Sequence, residues 1–150
     1  MSWIVDIAEG VAAELNRHKF SQPFTAERRI RPRFSVAKGE LKDLKVVVVH
    51  GPAIGAEAPK LRNMDEDQYT VLVAVLQKPT AATPEYFDPL VGLVEEIRDW
   101  MNRRRLADVD AVCVRWAFTD DLPFIGEVAD QSGAFTGGLT LTYRVLRKLP

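Results

Sequence analysis

The run KVVVV, Lys45 to Val49, restricts the fold of this chain more than any other stretch. Consecutive β-branched residues favour extended backbone. Successive side chains of a strand point to opposite faces, so the run turns apolar groups to both sides at once. It predicts a central strand over Leu44–Gly51, covered on both faces. QYTVLVAVLQ, Gln68 to Gln77, is apolar on both parities and predicts a second such strand. The connector between them, Pro52 to Asp67, carries Gly55, Pro59 and the acidic MDEDQ. A connector of that length is uncommon in a compact domain and usually has a task.

The other segments read by their periods. Ile4, Ile7, Ala8, Val11, Ala12 and Leu15 follow helical spacing, with Ser2 as the expected cap, Asp6 and Glu9 early, and Arg17, His18 and Lys19 at the end. DPLVGLVEEIRDWMNRRR predicts a second helix, capped by Asp88 and starting at Pro89, with Leu90, Leu93, Val94, Ile97, Trp100 and Met101 as its apolar face. Thr80–Tyr86 reads as a connector before it. Val109–Phe118 predicts a strand, and TDDLPFIGEVADQSG an acidic loop. In AFTGGLTLTYRVLRK, Phe135, Leu139, Leu141, Tyr143 and Val145 share one parity and Thr136, Thr140, Thr142 and Arg144 the other, which predicts a terminal strand with one wet face.

Between the first helix and the KVVVV strand lies PFTAERRIRPRF. Phe24, Ala26, Ile30, Pro32 and Phe34 share one parity, with Arg28 as the exception, and Thr25, Glu27, Arg29, Arg31 and Arg33 share the other. The alternation predicts a half-buried strand anchored by Phe24, Ile30 and Phe34. Pro32 has no N–H for a ladder, so the strand belongs at a sheet edge. The element order is then helix, three strands, helix, two strands. That order disfavours a doubly wound sheet. It predicts a single α+β domain over residues 1–150: a largely antiparallel, mixed sheet of four to five strands with both helices packed on one face.

Composition excludes several function classes. With 47% hydrophobic and 27% charged residues the chain suits a soluble core-forming domain. A net charge of −1 gives no global attraction to DNA or to an acidic membrane. No apolar run reaches the ~20 residues of a membrane span. The opening MSWIVDIAEG lacks the basic start of a secretory signal, so the chain is expected to begin in a cytoplasm. The single cysteine, Cys113, lies in an apolar run and reads as a small buried hydrophobe. One Cys and two distant His do not make a tetrahedral zinc set, and MDEDQ lacks the spacing of a calcium loop. The glycine loops, GxSxG elbow and HExxH of common enzymes are missing from the sequence. The expectation is a protein that is not an enzyme and uses no cofactor or metal. Asp120 and Asp121 are adjacent, so their side chains point apart rather than into a shared acid–base site.

That leaves binding surfaces. Arg29, Arg31 and Arg33 would project from one strand face at about 6.5–7 Å intervals, where like charges need solvent, carboxylates or phosphates. Three readings stay open: a solvated edge, a subunit contact against acidic loops of a neighbouring copy, and a contact with DNA phosphates. The candidate interface residues are Arg28, Arg29, Arg31 and Arg33, with Asp120 and Asp121 as acidic counterparts.

LNRHKFSQPFTAERRIRPRFSVAKGELKDLKVVVVHGP resembles a group of small phage and prophage structural proteins. In that group a leading helix is followed by F-S-x-x-F-x-A-x-R, L-K-D-L-x-V-x-V-V, D-x-x-Y, L-x-L-V-E-E-I and T-x-x-L-T-Y-R-V segments. Here the first two match at Phe20–Arg28 and Leu41–Val49, and the other three correspond, with one or two extra residues in each, to Asp65–Tyr69, Leu90–Ile97 and Thr136–Val145. The order of the motifs, over nearly the whole chain, carries the likeness to tail-terminator, tail-completion or head–tail joining proteins of long-tailed phages. The resemblance implies a virion protein, assembled in the host cytoplasm as a homo-oligomeric ring, hexameric by expectation. Such a ring caps the head-proximal end of the tail tube. Its implied partners are the tail tube protein, the head–tail connector and DNA that passes through the lumen without sequence-specific contacts, and no membrane. A neck connector or a DNA-binding accessory protein is the alternative.

Overall fold

A computed structural model describes residues 3–30, 40–50, 68–119 and 133–145. Its elements are helix α1 (Trp3–Arg17), strand β1 (Ala26–Arg28), a short 3-10 turn (Glu40–Lys42), β2 (Lys45–His50), β3 (Gln68–Gln77), helix α2 (Pro84–Met101), β4 (Ala111–Phe118) and β5 (Phe135–Val145). The five strands form one sheet in the order β1-β2-β3-β5-β4. β1 runs parallel to β2, and every other pairing is antiparallel. The chain is thus an α+β fold with a mixed sheet, as the element order predicts.

The KVVVV run behaves as expected. Val46, Val47, Val48 and Val49 are all buried, each side chain contributing about 1.5–3 kcal/mol of hydrophobic stabilisation. Val46 and Val48 enter the larger core, with Val71, Val73 and Val75 of β3 and Leu139, Leu141 and Tyr143 of β5. Ile7, Val11 and Leu15 of α1 and Leu90, Leu93, Val94 and Ile97 of α2 close the same core, so both helices lie on one face. α1 covers the β1-β2-β3 side of the sheet and α2 the β5 side. On the reverse face, Val47 and Val49 join Leu41, Ala74, Leu76 and Ala134 in a second apolar cluster. On this face β5 departs from its expected wet face: Thr142 and Gly138 are buried there, and Thr136, Thr140 and Arg144 half-buried.

Close packing in the middle of β5 depends on a missing side chain. A Cβ on Gly138 would stand 2.7 Å from the Val73 carbonyl oxygen and 3.0 Å from Thr119 Oγ1. β4 carries a bulge between Cys113 and Arg115. The extra residue, Val114, switches the inward parity, so that Ala111 and Cys113 face the helices before it and Trp116 and Phe118 after it.

Helix α2 begins earlier than the sequence signals suggest. Its N-cap is Thr83, whose carbonyl accepts the N–H groups of Tyr86 and Phe87, and Pro84 takes the first turn. Pro89, expected at the helix start, lies inside it and cannot donate to the Glu85 carbonyl four residues back. Phe87 decides the matter: it is buried and packs edge-on against Phe135 at 5.3 Å, which extends the apolar face one turn toward the N-terminus.

Candidate interface

The candidate arginines begin on β1. Their alternation correctly places this strand at an edge, though only Ala26–Arg28 is strand among the described residues. Arg31, Arg33, Asp120 and Asp121 lie outside the described residues, as do Pro32 and Phe34. Ile30 is a correction: it is 78% exposed and anchors nothing. The strand has ended by then, so period-two alternation no longer assigns Ile30 to the inner face.

Arg28, the exception on the apolar parity, points inward toward α1. Its Nη1 donates to Glu9 Oε1 at 3.0 Å, and its Nη2 lies 3.4 Å from His50 Nδ1 at the end of β2. The aliphatic stem can cover apolar surface while the head reaches a carboxylate at the rim. Arg29 lies on the outer parity and its Nε donates to Glu27 Oε1 at 2.8 Å. Both arginines therefore meet carboxylates of their own chain, and these pairs are exposed enough to contribute little stability.

The feature that most controls this edge was not legible in the sequence. Arg29 donates its backbone N–H to the Val48 carbonyl, so Ala26 and Arg28, of opposite parity, turn their backbone groups outward. Asn16, on α1, meets Ala26 there. The Ala26 N–H donates to Asn16 Oδ1 at 2.8 Å, and Asn16 Nδ2 donates to the Ala26 carbonyl at 3.0 Å. A side-chain amide thus stands in for a neighbouring strand and blocks the edge at Ala26.

At the opposite edge, residues 104–106 cover the first half of β4. Leu106 N–H donates to the Ala111 carbonyl and Cys113 N–H to the Arg104 carbonyl. Trp116 and Phe118 meet edge to face at 5.1 Å, and the Arg98 guanidinium of α2 lies 5.0 Å from the Trp116 ring centre. At the helix ends, Arg104 lies 3.3 Å from the Trp100 ring centre, and His18 stacks on the same indole at 3.8 Å. Two groups that close to one ring must take its two faces. Ser21 donates its N–H and its hydroxyl to the Glu96 carboxylate, which ties the segment after α1 to α2.

Two solvent-open hollows flank residues 105–110. The larger, about 550 Å³, lies between α1 and this segment and is bordered by Asp6, Glu9, Asp108 and Asp110. Glu9, Asp108 and Asp110 already meet Arg28, Arg17 and Arg105, so the hollow is far less negative than its carboxylates alone suggest. Among the described residues no group of three or more His, Cys, Asp or Glu could hold a metal ion, and no helix is long and apolar enough to cross a membrane. Cys113 is fully buried, and burial pushes its thiol pKa up. A thiol so placed is disfavoured as a thiolate nucleophile. Tyr143, opposite Cys113 on β5, is also fully buried and its hydroxyl has no hydrogen-bond partner among the described residues.

No protein-family model and no curated protein matches the chain. The described geometry offers sheet edges, with Arg28 turned inward to Glu9 and Arg29 on the outer parity beside Glu27.

Proposed function

We propose that the chain is a structural subunit of a long-tailed phage, one copy of a homo-oligomeric ring at the head-proximal end of the tail tube. There it terminates the tube and joins it to the head. The observation that carries this reading is where the motif residues of the resemblance fall. Phe20 and Ala26, Leu41, Val46–Val49, and residues within Leu90 to Ile97 and Thr136 to Val145 contribute to the two apolar clusters and to the sheet between them. The likeness therefore concerns the scaffold of an α+β subunit, which is what a ring-building protein shares with its relatives.

The charge pattern supports the same reading over DNA binding. Arg28 and Arg29 are engaged by Glu9 and Glu27, so less free positive charge is left for phosphates. A ring needs heterologous contacts, in which unlike surfaces of successive copies meet. In this reading the β1 edge, with Arg29 on its outer parity, is one such surface.

Native mass spectrometry tests the proposal. A ring of defined stoichiometry, hexameric by expectation, is the supporting result, together with rings seen by electron microscopy at the ends of purified tail tubes. Charge reversal at Arg29, Arg31 and Arg33 is expected to weaken assembly. A chain that stays monomeric at high concentration and leaves tail tubes uncapped overturns the reading. Duplex affinity that falls steeply with salt would favour the DNA-binding alternative.

A further inference from the structure

We infer that β4 is a self-pairing edge: two copies of the chain join antiparallel through Trp116–Phe118, about a twofold axis at Ala117. Thr119 donates its N–H to the Gly138 carbonyl at 3.2 Å, and Phe118, Ala117, Trp116 and Arg115 stand opposite Leu139, Thr140, Leu141 and Thr142. In an antiparallel pair the residues that exchange hydrogen bonds alternate. Thr119, Ala117 and Arg115 therefore bond to β5, while Trp116 and Phe118 turn both N–H and C=O away from the sheet. Residues 104–106 cover the edge at Ala111 and Cys113, and the bulge at Val114 ends the regular strand. Among the described residues the open stretch is short and bounded.

Its sequence is complementary to itself in one register. With Ala117 opposite Ala117 of the second copy, Trp116 meets Phe118 of that copy and Phe118 meets its Trp116. All four outward residues then exchange N–H···O bonds. Centring on Trp116 sets Phe118 against the bulged Val114, and centring on Phe118 runs Trp116 past the strand end at Thr119. On the helix face the favoured register adds Phe118 of the second copy beside Trp116, which is half-buried and has the Arg98 guanidinium 5.0 Å from its ring centre. Aromatic cross-strand pairs are favourable, and the cation attracts both rings. On the reverse face Arg115 falls opposite Thr119 and not opposite another arginine, so the charges of the two copies avoid each other. Ala117 is exposed, and its small side chain suits the close pair at the axis. The occupant of this edge is thus a second copy, in a contact that is isologous and separate from the heterologous contacts of a ring.

The test uses the whole chain. Sedimentation of the wild type over a wide concentration range is expected to show pairing, and Ala117→Lys, which sets like charges face to face, to weaken it by about tenfold or more. In Ala117→Cys the new thiol is the accessible one, since Cys113 is buried. Mild oxidation should link two copies through it far faster than in Ala107→Cys, an exposed control on the 102–110 segment. Denaturant midpoints near wild type establish that the variants fold. A ring that forms in the wild type should survive in Ala117→Lys with only the pairing lost, and pairing without a ring leaves this inference standing. Sedimentation unchanged by Ala117→Lys, or cross-linking of Ala117→Cys no faster than of Ala107→Cys, overturns it.

Discussion

Replacing Asn16 by alanine separates the edge cap of β1 from ordinary helix packing. The substitution removes two hydrogen bonds, of 2.8 and 3.0 Å, and leaves the N–H and carbonyl of Ala26 without their partner. Ala26 is only 5% exposed, so water cannot fully replace the amide. At roughly 1–1.5 kcal/mol for each bond the loss is about 2–3 kcal/mol. Alanine is the better helix former, which returns about 0.5 kcal/mol near the end of α1. The net destabilisation should be close to 2 kcal/mol, or a fall in melting temperature of roughly 5 °C for a domain of this size. Asn16→Asp keeps the acceptor for the Ala26 N–H, loses the donor and sets a carboxylate against a carbonyl, so it should fall no nearer to wild type than a single lost bond allows. Urea denaturation at neutral pH reads both values. The alanine variant should also aggregate sooner on mild heating, because its edge is uncovered. An Asn16→Ala protein within about 0.5 kcal/mol of wild type, with unchanged aggregation, would refute the claim that the amide serves as a strand partner.

Three other substitutions and one pH dependence follow from the packing. Gly138→Ala should destabilise by about 1–3 kcal/mol, because its Cβ would meet the Val73 carbonyl, a backbone group that cannot swing aside; chemical denaturation checks it. Gly92→Ala should stabilise by up to about 1 kcal/mol, since a Cβ there meets nothing within 4 Å, and a lower midpoint would contradict this. Tyr143→Phe should cost little or even stabilise at neutral pH, because it removes a buried hydroxyl that has no partner among the described residues. Burial raises the pKa of both Cys113 and Tyr143 above their ordinary values of 9.0 and 10.0. The unfolded chain then loses these protons first, so the stability present at lower pH should fall as pH rises past 9.0 and again past 10.0. Urea midpoints measured from pH 7 upward should fall on this schedule, and Tyr143→Phe should flatten the upper part.

Local chemistry was sufficient for much of this protein. The KVVVV run could only be a strand buried on both faces, and the parity of Phe135 to Val145 matched the inner face of β5 residue by residue. The edge position expected for the PFTAERRIRPRF strand is the one β1 holds, although only Ala26–Arg28 of that stretch is strand among the described residues. Boundaries were less legible. Thr83 and Pro84 offer the same start signal as Asp88 and Pro89, and only the Phe87–Phe135 contact across the core selects the earlier one. The parallel pairing of β1 with β2 depends on the path of the chain between them, which no side-chain period encodes. Arg28 broke its pattern because its partner, Glu9, lies 19 residues away on a helix. The cap by Asn16 and the phase switch at Val114 had no local signature at all. An amide that completes a strand edge and a bulge that re-aims two aromatics are defined by what lies opposite them. Periodicity reports which side of an element is apolar, and only the assembled sheet determines which backbone groups are left to meet another chain.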